Sequence, residues 1–325
     1  MEGIFATAAD NLGSPMILCF VLGVLAALAR SDLSFPEAVA KGMSLYLLFA
    51  IGFKGGVGVA EHGGGLELVA ALGAGVVLSA ALPFAAYALL RAVTGLGAID
   101  AAAIAAHYGS ISIVTFVTAT LALEGQGIAF EGYMVAVAAA MEAPAILSAL
   151  WLAARSRPGG IDAGVWREIL VNGSIVLLLG SFAVGWITGT EGMADIAPFV
   201  GAPFKGVLCL FLLDMGLVTG RGLMGSRAGL GPALVGFGVA MPLVGGAAGL
   251  GAALLLGLSP GGTALLAVLA ASASYIAVPA AMRVALPEAN PAPALALALG
   301  VTFPFNLVIG IPAAIAASLA LTGGP

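Results

Sequence analysis

Ten apolar runs, each long enough to cross a lipid bilayer as a helix, follow one another along this chain with only short connections between them. A spanning helix needs about 20 residues. The runs lie at roughly 12–29, 38–60, 68–92, 100–122, 131–154, 168–188, 196–219, 229–257, 263–284 and 293–320. Lipid offers the backbone no hydrogen-bond partners, so a chain of this kind must satisfy its own N–H and C=O groups within helices. Charged residues make up only 8% of the 325 residues against 61% hydrophobic, too few to cover a soluble surface. The expected fold is therefore an all-α polytopic membrane protein, with no nucleic-acid-binding surface and no appended soluble domain. The eighth run is long and must be tilted or frayed at its ends. Glu2 and Asp10 precede the first run with no Lys or Arg, so that run reads as a retained span and not a cleaved signal peptide. Cys19 and Cys209 both fall inside apolar runs, where a thiol packs as a small hydrophobe.

Positive charge sets the orientation. Of the eleven Lys and Arg residues, nine lie in or beside the odd-numbered connections: Arg30, Lys41, Arg91, Arg155, Arg157, Arg167, Arg221, Arg227 and Arg283. Glu61, Glu67, Glu124, Glu131, Glu191 and Asp195 occupy the even-numbered ones, while Lys54 and Lys205 sit within or at the edge of spans. By the positive-inside rule the odd connections are cytoplasmic and both termini face outward. Five spans precede the 155–167 connection and five follow it, so residues 1–157 and 158–325 are expected to be two repeats inserted with opposite orientation.

A constant offset supports that reading. Ser110 and Ser274, Val114 and Val278, Glu124 and Glu288, Glu142 and Asn306 are each 164 positions apart. So are Lys41 and Lys205, Gly42 and Gly206, Gly52 and Gly216, and Gly56 and Gly220. Within this register, the fourth and ninth spans are interrupted by Gly, Ser, Tyr and Pro, in Ala106–Phe116 (AHYGSISIVTF) and Ala270–Ala280 (ASASYIAVPAA). A broken helix in lipid survives only where protein or a polar cavity shields the freed backbone groups. Matched breaks in repeated halves point to a transporter's substrate site. The two breaks are expected to cross near the midplane. There the N-termini of the second half-helices favour an anion and the carbonyl ends of the first favour a cation.

The expected substrate-binding residues are Gly109, Ser110, Ile111, Ser112, Ser272, Ala273, Ser274 and Tyr275. The serines are also consistent with hydrogen bonds back to the preceding helical turn. Most of the 48 glycines serve close helix packing. Gly109 and Gly300 are set apart as places where the chain bends or meets a ligand. Glu142, just before Pro144, and its counterpart Asn306 are ionisable or amide groups inside spans, which are costly there and usually face a cavity. With Thr115 and Thr302 they offer oxygen ligands suited to a hard monovalent cation, and Asp214 is a further candidate. Glu142 fits a structural hydrogen bond equally well. Asp214 and Lys54 are expected either to pair with one another or to mark an ion path, with Lys54 reaching toward the interface. His107 reads as a packed hydrogen-bond donor and His62 as an exposed residue. A membrane metalloenzyme would need clustered Asp, His or Glu in a recognisable motif, and an ATP-driven pump a P-loop; neither is present in the sequence.

Four runs carry a resemblance: Ser44–Gly56 (SLYLLFAIGFKGG), Ala106–Phe116, Ala271 to Pro291 (ASASYIAVPAAMRVALPEANP) and Gly300–Pro312 (GVTFPFNLVIGIP). Across nearly its whole length the chain resembles the SbtA-type sodium-dependent bicarbonate transporters. The resemblance implies sodium–bicarbonate symport with Na+ as coupling ion and no other cofactor. It also implies an inner-membrane location and a homotrimer. Cyanobacterial members carry a longer cytoplasmic connection between the fifth and sixth spans than the 155–167 segment here. A PII-type regulator of the SbtB kind would then be absent or bind another cytoplasmic surface. The alternatives are a sodium-coupled carrier of another small anion and a non-transporting membrane receptor.

Overall fold

The computed structural model describes residues 14–62, 65–155, 171, 173–225, 230–275, 277–286 and 288–323. Both termini, Arg157, Arg167 and Arg227 lie outside the described residues, and with them most of the 155–167 connection. Among the described residues every regular element is helical. The elements are α1 (Pro15–Leu28), α2 (Glu37–His62), α3 (Leu66–Val93), α4 (Ala98–His107), α5 (Ile113–Gly125), α6 (Met134–Ala140), α7 (Glu142–Ala154), α8 (Gly173–Val200), α9 (Ala202–Gly225), α10 (Pro232–Leu256), α11 (Pro260–Ala271), α12 (Ala277–Ala285) and α13 (Pro291–Leu297). After α13 the last span passes through two π-helical turns, Ala298–Thr302 and Asn306–Gly310, that flank the single turn α14 (Phe303–Phe305), and ends as α15 (Ile311–Thr322). Six helical stretches are long and apolar enough to cross a membrane, accompanied by shorter apolar helices that include α4, α5 and α11. The protein is a polytopic membrane protein.

Local sequence explains where these helices start and stop. In α3, Glu67 occupies the first turn and Arg91 the last, each complementing the helix dipole. In α10, Pro232 opens the helix and Gly257 closes it in the left-handed conformation at φ 67°. The fourth and ninth apolar runs are broken as expected, and in the same register. α4 ends at His107 and α11 at Ala271, while α5 begins at Ile113 and α12 at Ala277, both pairs 164 residues apart.

Three points add to or correct these expectations. The fifth run is helical over Met134–Ala154 as expected, with a one-residue turn at Met141 between α6 and α7. The cause is tertiary: the Ser79 hydroxyl of α3 donates to the Met141 carbonyl (2.5 Å) and accepts from the Ala145 N–H (3.1 Å). It thereby takes the place of an i→i−4 backbone bond, an insertion that kinks helices. Second, the connection expected at 189–195 is reduced to a kink at Gly189 (φ 58°), and residues 190–195 are helical. Glu191 and Asp195 therefore sit on a helix, and the seventh span starts at Ala202. Third, Lys54 does not pair with Asp214. The charged groups that act on Lys54 are Glu124 and Lys205, and the one that acts on Asp214 is Arg221.

The helices sort into two packed groups. α1 lies against α9 and α8 against α2, while α3 and α10 meet each other and carry the broken helices α4–α5 and α11–α12 with α6, α7 and the last span. The first group closes on backbone-to-backbone contacts. A Cβ on Gly56 of α2 would lie 2.0 Å from the Phe182 carbonyl oxygen of α8, and one on Gly220 of α9 would lie 2.9 Å from the Val24 carbonyl oxygen of α1. These two glycines, 164 residues apart, make the same kind of contact in the two crossings.

Candidate functional site

The two breaks meet. The Ser274 N–H donates to the His107 carbonyl (2.8 Å), and His107 Nδ1 donates back to the Ser274 carbonyl (2.6 Å). Because a carbonyl only accepts, the proton on buried His107 is at Nδ1. One turn on, the Ser112 N–H donates to Ser272 Oγ (2.9 Å), whose own hydroxyl donates to the Leu269 carbonyl (2.8 Å). Backbone groups freed by each break are thus satisfied by the other, which allows both breaks to lie inside an apolar bundle.

Ser112 is the N-cap of α5, accepting from the Thr115 N–H (3.2 Å) and the Thr115 hydroxyl (2.8 Å). Thr302 accepts from the Tyr108 hydroxyl (2.8 Å) and donates to the Gly238 carbonyl (2.7 Å), which anchors the Tyr108 ring edge-on to Phe237. Asn306 donates from Nδ2 to the Ala271 carbonyl (2.9 Å), the freed carbonyl at the end of α11. Its counterpart Glu142 has no equivalent donor role at the His107 carbonyl, which accepts from the Ser274 N–H.

What the network leaves open is informative. Four buried side-chain atoms have no hydrogen-bond partner among the described residues: Ser110 Oγ, Glu142 Oε2, Tyr275 Oη and Asn306 Oδ1. Glu142 is 4% exposed. A carboxylate oxygen this deep without a partner is costly unless a cation or proton joins it. Glu142 lines a cavity of about 10 Å³ together with Ile111, Ser112, Ser274 and Tyr275, room for one water-sized particle. The N-termini of α5 and α12 begin at its wall (Ile113 and Ala277), beside Glu142. Two positive helix ends and one carboxylate therefore share the chamber, which suits an anion and a small cation side by side.

Two larger cavities flank it. One of about 620 Å³ runs along the first half of α2 past Glu37 and Lys41 and shares Leu48, Tyr275 and Ala277 with the central chamber. The other, about 260 Å³, lies along the second half of α2 and has no lining residue in common with the centre. The central chamber therefore adjoins the cavity on the Lys41 side.

The structure brings Ile111, Ser112, Ser274, Tyr275 and Glu142 to one chamber. Ser272 and Thr115 stand one bond behind it through Ser112. The backbone of Gly109 packs against α3, where a Cβ would come 2.4 Å from Pro83 Cγ. Ala273 and Ser110 are buried in the junction, the Thr302 hydroxyl accepts from Tyr108 and donates to Gly238 with one lone pair left, and Asp214 is buried on α9 and does not line the chamber. Sequence reasoning passed over Ser79, Leu48 and the tying role of His107. For Ser79 a signal existed, a lone hydroxyl amid the apolar middle of α3 close to Pro83. Among the described residues there is no cluster of three or more His, Cys, Asp or Glu that could hold a metal.

These bonds make a direct prediction. Ser272→Ala leaves the Ser112 N–H buried and unpaired, so thermal unfolding in detergent should show a loss of about 1–3 kcal/mol. Ser110→Ala removes a hydroxyl that is already unpartnered and should leave unfolding unchanged or slightly later. Equal destabilisation by both would contradict this bonding scheme.

A family model for the Na+-dependent bicarbonate transporter superfamily matches residues 15–318. No curated protein matches the chain. The match runs from the start of α1 into α15 and takes in both breaks, and the chain belongs to the Na+-dependent bicarbonate transporter superfamily.

Proposed function

We propose that this protein is a sodium-coupled symporter that imports bicarbonate by alternating access, and that it is not an enzyme. The observation that carries the reading is the central chamber, where the N-termini of α5 and α12 converge with the unpartnered Glu142 oxygen at the crossing of two broken helices. The anion sits at the N-termini of α5 and α12, contacted by Ser112, Ser274 and Tyr275, with the unpartnered Ser110 hydroxyl as a further donor, while the unpartnered Asn306 Oδ1, an acceptor only, is an oxygen for the cation. Sodium sits at Glu142. Each charge lowers the cost of desolvating the other, which is the physical basis of coupling.

Ten spans in two inverted five-helix repeats, 1–157 and 158–325, fit the shared 164-residue offset of the helix breaks and the matching α1–α9 and α8–α2 pairs. The charge distribution favours the inner membrane with both termini outside. On that orientation the 620 Å³ cavity faces the cytoplasm, and the structure corresponds to an inward-facing state. The helix group α1, α2, α8 and α9 would act as the scaffold against which the remaining helices move. The homotrimer comes from the family resemblance.

Uptake of radiolabelled bicarbonate into proteoliposomes tests this. An imposed inward sodium gradient should accelerate uptake, and replacing sodium by potassium should abolish the acceleration. Uptake of another small anion with bicarbonate inert would favour the neighbouring reading, since hydroxyls and helix N-termini recognise several oxyanions. No sodium-dependent uptake of any anion would refute the transporter.

A further inference from the structure

Among the described residues Lys54 is a cation set well inside a span and bordering a cavity, and neither the helix breaks nor the central chamber uses it. It stands eight residues before the end of α2 at His62, about 12 Å at helical rise. Phe53 and Gly55 on either side are buried while Lys54 is exposed, and its exposure is to the 260 Å³ cavity. A snorkelling lysine would stretch to the interface. Here Nζ lies 4.6 Å from the centre of the Phe204 ring, a cation–π contact that holds the ammonium in place. Glu124 borders the same cavity, and both Glu124 and Lys205 act electrostatically on Lys54. Lys54 and Glu124 are the charged residues of the lining, and Lys205 adds positive charge from outside it. Toward the mouth the chain is acidic, with Glu131 capping the start of α11 through the Ser259 N–H (2.7 Å) and hydroxyl (2.9 Å).

The repeats show that this lysine is a departure from symmetry. Four residues lining this cavity have partners lining the 620 Å³ cavity at the 164-residue offset: Phe204 with Ala40, Ile51 with Met215, Val135 with Leu299, and Lys54 with Val218. Three pairs are apolar on both sides. Only the fourth exchanges a cation for an apolar side chain, at the same depth in the opposite cavity. An ion in a span is costly and marks a substrate path more often than a packing role.

We propose that Lys54 is an anion-recruitment site in the outer vestibule, which concentrates a small monovalent oxyanion above the closed central chamber before the transporter opens outward. This rests on the orientation and transport reading above. The Phe204 ring takes one face of the ammonium, and the remaining N–H donors are available to the anion. Glu124 keeps the ammonium from trapping the anion and gives the accompanying sodium a carboxylate in the same vestibule. The exchange for Val218 removes the cation at this depth from the cytoplasmic cavity, whose own lysine, Lys41, stands near the start of α2 beside Glu37.

Thiol reactivity tests the field independently of transport. In full-length protein carrying Cys19→Ala, Cys209→Ala and Thr120→Cys, solubilised in detergent at low ionic strength, the cysteine lines the vestibule. An anionic methanethiosulfonate should modify it about tenfold faster than a cationic one of the same size. Adding Lys54→Gln should bring the ratio near one, and Lys54→Arg should restore it. Bicarbonate at tens of millimolar should slow modification with Lys54 present and not with Lys54→Gln. In proteoliposomes Lys54→Gln should raise the apparent KM for bicarbonate about fivefold to tenfold at low salt, with kcat within about twofold. A reagent ratio indifferent to Lys54→Gln, or bicarbonate without effect on the lysine-containing protein, overturns the proposal. Absence of uptake by the unsubstituted protein, with the reagent ratio and protection intact, would instead refute the transport reading and leave the anion site standing.

Discussion

Glu142→Gln is expected to weaken apparent sodium affinity by about a hundredfold or more. Removing one partner of a buried ion pair costs roughly 3–5 kcal/mol, and each 1.4 kcal/mol is about a factor of ten. The side chain is 4% exposed with Oε2 unpartnered, and glutamine keeps its shape while deleting the charge. Bicarbonate affinity should fall as well, but only at sodium concentrations that saturate the unsubstituted protein, because coupling between two ligands is reciprocal. Folding should not suffer, since no bond made by the lost charge holds a helix in place. Sodium titrations of bicarbonate uptake, with a thermal melt beside them, check all three expectations. Unaltered sodium dependence in a folded variant would mean that Glu142 is structural and that the cation binds elsewhere.

Gly56→Val should remove folded protein altogether. The new Cβ would lie 2.0 Å from the Phe182 carbonyl oxygen and 2.6 Å from the Trp186 nitrogen, both backbone atoms that no rotamer change can move. Relief requires α2 and α8 to separate, and that crossing is the most extensive helix pair in the structure. Gly42→Ala, fourteen residues earlier on the same helix, meets nothing within 4 Å. It should be neutral, or stabilising by up to about 1 kcal/mol through helix propensity. Monodispersity by size-exclusion chromatography and the yield of heat-resistant protein distinguish the two. A well-folded Gly56→Val variant would show that the helices do not cross at this glycine.

Much of this protein is legible in one dimension because lipid removes choices. A backbone without water must be helical, so apolar length alone locates the spans, and a Gly, Ser and Pro interruption inside one has to be shielded. The offset of 164 residues, seen first in scattered pairs such as Ser110 with Ser274, places the ends of α4 and α11 and the starts of α5 and α12 in register. Glu142 could be singled out because a carboxylate inside a span has few cheap explanations.

Tertiary structure decided what depends on a partner far along the chain. The break at Met141 needs Ser79, 62 residues earlier, to step into the hydrogen-bond ladder; the local sequence around Met141 shows only Pro144. Glu142 and Asn306 occupy equivalent positions, yet the amide finds the Ala271 carbonyl while the carboxylate keeps an open oxygen. That difference arises because an amide can donate to a freed carbonyl and a carboxylate cannot. Thr302 looks like a ligand in its motif, and its hydroxyl also ties Tyr108 to the Gly238 carbonyl, which the sequence does not show. Lys54 looks like a snorkelling lysine until Phe204 and Glu124 surround it. Periodicity and hydropathy report how a residue relates to lipid. Whether its polar atoms are satisfied depends on which other helix arrives beside it, and packing alone determines that.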